Sequence, residues 1–216
     1  EEFDRLYKAY CEQVGKVSKH DLMQAFFNLA KKGGFGGRES NRQSPDLTIP
    51  QSVFIGKRLG RRFAARGSLV YTDEFKALRD DFNAKFGTTL SMADFWLAVD
   101  GLAKKAKGDE WPAQLNKARE SACLAVEVYN KPLVTFRSGG YIVLMNIAWT
   151  ALMHAIFFRW GIKPFYREKD RPDRFVKIDG DYKAWELCTC LDEYFGEEAS
   201  PVRENLRLFI GLRNKI

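Results

Sequence analysis

Between Tyr141 and Trp160 the chain reads YIVLMNIAWTALMHAIFFRW, and a segment this apolar must be covered on nearly every side. Asn146, Trp149, Thr150 and His154 interrupt it, so it reads as a buried core helix rather than a membrane span. A helix of that kind needs partners, and the flanking sequence supplies them. Pro112 sits at the first turn of a helix running to about Tyr129, with Leu115, Ala118, Ala122, Ala125, Val126 and Tyr129 on its inner face. Asn130-Lys131-Pro132 ends it, and Phe136 to Gly140 reads as a turn. Beyond Gly161 and Pro164 lies a polar connection, with a short hairpin around Phe175–Ile178 and its turn at Asp179-Gly180. Trp185–Phe195 is a third helix, and Pro201 opens a fourth carrying Val202, Leu206, Phe209, Ile210 and Leu212. Four helices with short links predict a mainly α fold, an up-and-down bundle over residues 109–216.

Residues 1–108 read as a smaller, mostly helical unit. Phe3, Leu6, Tyr7 and Tyr10 recur at helical spacing, and Ser18 can cap a second helix carrying Leu22, Phe26, Leu29 and Ala30. The stretch Gly33–Gln51 is rich in Gly, Ser, Asn and Pro and reads as a loop; it lacks the spacing of a phosphate-binding loop. Thr72 and Ser91 cap two further helices, the first closed by Gly87 and the second by lysines before Gly108. This order of helices would suit a helix-turn-helix variant, with no recognition helix assignable.

The segment Val53–Arg66 (VFIGKRLGRRFAAR) is the most basic in a chain of net charge +7. On a helical wheel Ile55, Leu59 and Phe63 form an apolar stripe, while Arg58 falls beside Arg62 and Lys57 beside Arg61. Such a helix could dock by its stripe and offer Lys57, Arg58, Arg61, Arg62 and Arg66 to the phosphates of a nucleic acid. It could equally be a solvated basic face. Four scattered cysteines and two histidines offer no metal-ligand spacing, so neither a metal nor another cofactor is expected, and free thiols fit a reducing cytoplasm.

Several short motifs follow one another through the second half. They are Ala125-Val-Glu127-Val-Tyr129-Asn130-Lys131-Pro132, Leu144-Met-Asn146-Ile-Ala-Trp149, Lys177-Ile-Asp179-Gly180, Lys183-Ala-Trp185-Glu186-Leu187, and Glu204-Asn205-Leu206 leading to Leu212-Arg213-Asn214-Lys215-Ile216. In this order they resemble an uncharacterised prokaryotic branch of the HEPN superfamily, over about residues 111–216. The resemblance implies a helical bundle that pairs into a homodimer, binds RNA, and in active members cleaves it without metal, often in phage defence or toxin–antitoxin systems. Active members carry Arg, four to six residues, then His on the last helix. Arg213 matches that arginine and Asn214 the polar residue after it. The histidine would lie just beyond Ile216, and the apolar, helix-forming end of the sequence gives the same expectation that the native chain continues.

The chemistry of that pair is plain. A 2′-hydroxyl attacking the adjacent phosphate needs a proton acceptor and donor, and a cation for the developing charge. Histidine suits the first and a forked guanidinium the second. Glu127 and Asn146 are polar residues on otherwise apolar helix faces. They either surround an Arg213 pocket or tie helices together by hydrogen bonds, and the second is the stronger expectation. His154 reads as a packed core histidine. The expected partner is nucleic acid, RNA before DNA, with a non-catalytic nucleic-acid- or nucleotide-binding module as the alternative and no membrane.

Overall fold

The computed structural model describes residues 2–23, 25, 44–63, 66, 69–70, 72–106, 108 and 110–216. The chain is mainly α-helical and forms two compact units, one of residues 1–46 and 61–100, the other of residues 47–60 and 101–216. The second unit thus takes in a short helix from the part of the sequence expected to belong wholly to the N-terminal unit.

In the first unit, α1 spans Glu2–Val14, and the Tyr7 hydroxyl donates to the Val17 carbonyl at 2.7 Å. The expected second helix is seen over residues 19–23; Phe26, Leu29 and Ala30, and most of the Gly33–Gln51 stretch, lie outside the described residues. The end of that stretch is not loop. Thr48 and Gln51 form a capping box, and α2, which belongs to the second unit, runs Ile49–Leu59 with Pro50 in its first turn. Helix α3 spans Asp73–Phe86, capped by Thr72 and closed by Gly87 in the left-handed region. Helix α4 spans Met92–Lys105, and the Ser91 hydroxyl accepts from the Asp94 amide at 3.2 Å. Phe75, Phe82 and Phe95 are fully buried, with ring centroids 5.2 Å apart for each contact to Phe95. The α3–α4 loop is braced by Asn83, which donates to the Leu90 carbonyl at 3.0 Å and accepts from the Leu90 amide at 3.1 Å.

In the second unit α5 (Glu110–Asn130) and α6 (Arg137–Arg159) pack along one another, and α7 (Leu187–Phe195) and α8 (Pro201–Arg213) lie against α6. Phe157, Trp160, Trp185, Cys190, Leu191 and Leu206 make the centre of its core, and Val53 of α2 joins them. Helix α6 starts four residues before the expected Tyr141, inside the expected turn. A Cβ on Gly139 would lie 2.2 Å from the Phe136 ring, and one on Gly140 3.0 Å from a Val128 methyl. Those glycines serve packing rather than a turn. Helix α7 starts at Leu187, two residues later than expected, because Trp185 is held in an extended segment by its amide bond to the Pro164 carbonyl at 2.9 Å. By length and composition α6 could cross a membrane, yet Asn146, Ala148, Ala151, His154 and Phe157 are buried within this unit.

The expected inner face of α5 is narrower than the sequence implied. Ala118 and Ala125 are buried, whereas Leu115, Val126 and Tyr129 are exposed. Small residues alone allow α5 to lie close to α6, and the larger apolar side chains are carried outward.

The expected hairpin is present as β1 (Lys177–Ile178) and β2 (Asp181–Tyr182), with Lys177 opposite Tyr182. Its turn residue Asp179 has a positive φ of 52° and Gly180 one of 94°, the left-handed pair that a two-residue hairpin turn requires. Residues 165–167 close on the hairpin through bridges to Ala184 and Phe175.

Candidate polar cavity of the helical bundle

Three polar residues recur at four-residue spacing on the apolar helix α6: Asn146, Thr150 and His154. Four residues is close to one helical turn, so the three stand in a column. They line a cavity of about 450 Å³, completed by Gln114 and Lys117 of α5, Ala184, and Arg213 at the end of α8. Cavities of this size accommodate small molecules or one end of a larger ligand. A second cavity of about 420 Å³ between α5 and α6 is lined mostly by Leu115, Ala118, Ala122, Met145, Trp149 and Leu152 and lacks such a polar column.

The column is held by specific bonds. Asn146 is 3% exposed; its amide donates to the Ile142 carbonyl at 3.0 Å and across to the Phe209 carbonyl of α8 at 3.4 Å. Phe209 precedes Arg213 by one turn, so this bond fixes the stretch of α8 that carries the arginine. The Asn146 Oδ1 atom is buried without a hydrogen-bond partner, an arrangement that costs free energy unless something else satisfies it. Thr150 donates to the Asn146 carbonyl at 2.7 Å. His154 Nε2 lies 2.9 Å from the Trp185 carbonyl; a carbonyl can only accept, so Nε2 carries the proton and Nδ1 is the basic nitrogen.

Burial pushes the His154 pKa below the usual histidine value; the Trp185 carbonyl works against that shift and the Lys117 charge adds to it. The unfolded chain then binds a proton near pH 6.5 that the folded chain refuses. Stability is therefore expected to fall as pH drops through about 6.5 and to level off below the folded value. Melting temperatures measured between pH 5 and 8 should fall more steeply for the natural protein than for His154→Gln. Parallel curves would refute the assignment. The Cys190 thiol, by contrast, is pushed up to about 12 by burial and the Glu193 charge, and it remains protonated and unreactive at neutral pH.

At the mouth, both Nε and Nη2 of Arg213 donate to Asn214 Oδ1, at 3.2 and 2.9 Å. Both residues are exposed. Asn214 reaches the cavity only through its bonds to Arg213; Arg213 and Asn146 line it, and Lys117, Thr150 and Gln114 join them. Sequence reading missed these last three; the polar column at i, i+4 and i+8 was the signal for Thr150. Glu127 does not belong here. It is exposed on α5 and is absent from the cavity wall, because the small-residue stripe, not the face bearing Glu127, turns toward α6.

The basic segment is not one face. Helix α2 ends at Leu59, and Gly60, with φ 51°, turns the chain into a single 3-10 turn, Gly60–Phe63. Lys57 and Arg58 therefore belong to one unit, and Arg61, Arg62 and Arg66 to the other. The apolar stripe is as expected: Ile55, Leu59 and Phe63 are buried. The charges are largely occupied. Lys57 pairs with Glu198 at 2.9 Å and lies 4.5 Å from the Tyr194 ring centroid, and Arg58 sits over Phe54. Arg62 pairs with Glu74, and Arg66 with Asp100 at 2.7 Å. The side chain of Arg61 lies outside the described residues.

The Arg66–Asp100 pair is the least exposed of these, its side chains 17% and 18% accessible, and it acts within the first unit. Removing one partner leaves a largely buried charge alone, so Arg66→Gln should lower stability by about 2 kcal/mol. Asp100→Asn should cost a comparable amount. The double variant should lose less than the sum, as measured by denaturant unfolding; additive losses would show that the pair does not matter.

Fold and cavity together define a helical bundle with a polar, cation-flanked cavity. The family model described as a domain of unknown function, DUF3644, matches residues 113–216, the stretch that contains α6, α7, α8 and nearly all of α5. Neither the curated proteins nor the solved structures include a match.

Proposed function

We propose that the bundle is an RNA-binding module of HEPN type, and that the native protein cleaves RNA without a metal ion. The observation that carries the reading is the convergence of Arg213, Lys117 and the buried Asn146 on one cavity. Two cations beside a fixed amide suit a phosphodiester, whose charge grows as its 2′-hydroxyl attacks. In that step the O2′–P bond forms and the P–O5′ bond breaks. The 2′-proton passes to a base and the leaving 5′-oxygen takes one up, which leaves a 2′,3′-cyclic phosphate and a 5′-hydroxyl. Arg213 is the residue assigned to the phosphate charge, with Asn214 bracing its guanidinium. Burial disfavours a charged His154, so proton transfer is not assigned to it; in active members of the family that the bundle resembles, that role belongs to a histidine following the arginine.

Pairing of two bundles agrees with the exposed apolar side chains Leu115, Val126, Tyr129, Val202 and Leu208 on α5 and α8. Isolated apolar residues are normal at a surface, but a concentration on two helices supports an interface. The reading is tested by incubating the full-length natural protein with mixed RNA in EDTA and analysing the new ends. Cyclic phosphate ends formed under chelation are the expected outcome. Cleavage that requires a divalent ion, or binding of mononucleotides with no cleavage, would favour a nucleotide-binding module instead.

A further inference from the structure

The hairpin and the segments flanking it carry a second concentration of cations. Between Lys163 and Lys183 the chain carries seven Lys or Arg and five Asp or Glu. Among the described residues none of the seven forms an ion pair, in contrast to Lys57, Arg62 and Arg66. Instead three of them lie over aromatic rings: Arg167 at 5.0 Å from the Phe175 centroid, Lys177 at 5.2 Å from Tyr182, and Lys183 at 5.0 Å from Tyr166.

The rings are themselves clustered. Phe165, Phe175 and Tyr182 form a triangle with centroids 5.4 to 5.6 Å apart, and Phe158 of α6 anchors it by an edge contact with Phe165. Strand register explains the arrangement. Phe165 pairs with Ala184, Arg167 with Phe175, and Lys177 with Tyr182, and two-residue alternation puts these side chains on one face. Tyr182 is 51% exposed. Within one small surface there is thus a ring open to solvent, fixed by two half-buried rings, with Lys177 held across the strand from it.

From this juxtaposition we propose that the hairpin face of Phe165, Arg167, Phe175, Lys177 and Tyr182 binds single-stranded RNA, stacking a base on Tyr182 while Lys177 and Arg167 meet the flanking phosphates. The surface takes its partner from the RNA reading above but not its cleavage chemistry. Stacked rings interleaved with cations favour unpaired bases, because a base inside a duplex has no free face to offer. An acidic protein would be drawn to the cations but would gain nothing from the rings. None of the five residues of this face lines the cavity, so the face holds a strand rather than cutting it.

The test is fluorescence anisotropy of the full chain with a labelled oligouridine of about twelve nucleotides, alongside a duplex RNA of equal phosphate content and polyglutamate as competitors. The oligouridine should bind at least about fivefold more tightly than the duplex, and polyglutamate should compete poorly. Tyr182→Ala should weaken binding about tenfold, and Tyr182→Leu, which keeps the apolar contact, nearly as much. Arg167→Gln with Lys177→Gln leaves the rings in place and should reduce the salt slope by about one to two. Ultraviolet cross-links should map to residues 175–183. Unchanged binding in the Tyr182 variants and in the Arg167–Lys177 double variant overturns the proposal even if Arg213-dependent cleavage is found. Equal affinity for the duplex, or effective competition by polyglutamate, overturns it in favour of a plain electrostatic or acidic-protein surface. No oligouridine binding at all overturns this proposal, while the RNA reading is decided separately by cleavage of mixed RNA under chelation.

Discussion

Gly56→Ala is expected to destabilise the bundle unit by about 2 kcal/mol, against the ordinary rule for helices. Alanine favours a helix over glycine by about 1 kcal/mol, and Gly56 sits inside α2, so propensity alone predicts a gain. Packing decides otherwise. A Cβ at this position would lie 2.3 Å from Cδ2 of Trp160 and 2.6 and 2.7 Å from two more of its ring atoms. The ring has little freedom to retreat, because its other surroundings include Tyr194, stacked at 5.8 Å with an interplanar angle of 12°. Either α2 moves off the core, exposing Val53 and Ile55, or Trp160 leaves its position. Each option costs more than the propensity returns. For a chain of this size the loss should appear as a fall in melting temperature of about 4–8 °C. Combining Gly56→Ala with Trp160→Leu relieves the clash, so the double variant should lose less than the two single losses added. A melting temperature raised by Gly56→Ala would mean that α2 does not pack against Trp160 in solution.

The same residue shows where sequence reading stops. Glycine disfavours a helix interior, so in the sequence Gly56 and Gly60 both weaken a helix over Val53–Arg66, yet they do opposite things. Gly60 ends the helix with a positive φ, whereas Gly56 lies within it and makes room for an indole more than a hundred positions away in the sequence. Local signals were legible where the cause is local: Thr72, Gly87, Ser91 and Pro201 mark helix ends because a cap or a missing amide acts within one turn. The pairing of Lys57 with Glu198 and of Arg66 with Asp100 was not legible, since charges far apart in the chain meet only once the fold is formed. The candidate cavity lies between these cases. Asn146 and Arg213 stand out as single residues, but the outward turn of Glu127 depends on which face of α5 packs, and small-residue stripes give a weak periodic signal.

The second large effect concerns Arg213. On the proposed reading its guanidinium meets charge that appears only as the phosphate is attacked, so Arg213→Ala should lower the cleavage rate by about 10²- to 10³-fold, the range for one lost oxyanion donor. RNA affinity should change far less, because the interaction strengthens in the transition state rather than the ground state. Arg213→Lys keeps the charge but loses the fork, and should recover only part of the rate. Asn214→Ala frees the guanidinium that Asn214 Oδ1 now holds by two donors, so it should cost less than Arg213→Ala, since the phosphate can still recruit the arginine. A purely structural arginine gives another pattern. At the exposed end of α8 its loss would shift stability by no more than a few tenths of a kcal/mol, about the value of a cation in the last helical turn, and would leave the rate intact. Single-turnover cleavage of a defined RNA, run beside thermal melts of the same variants, separates the two. A rate unchanged in Arg213→Ala would remove the arginine from the chemistry and leave the cavity as a binding site.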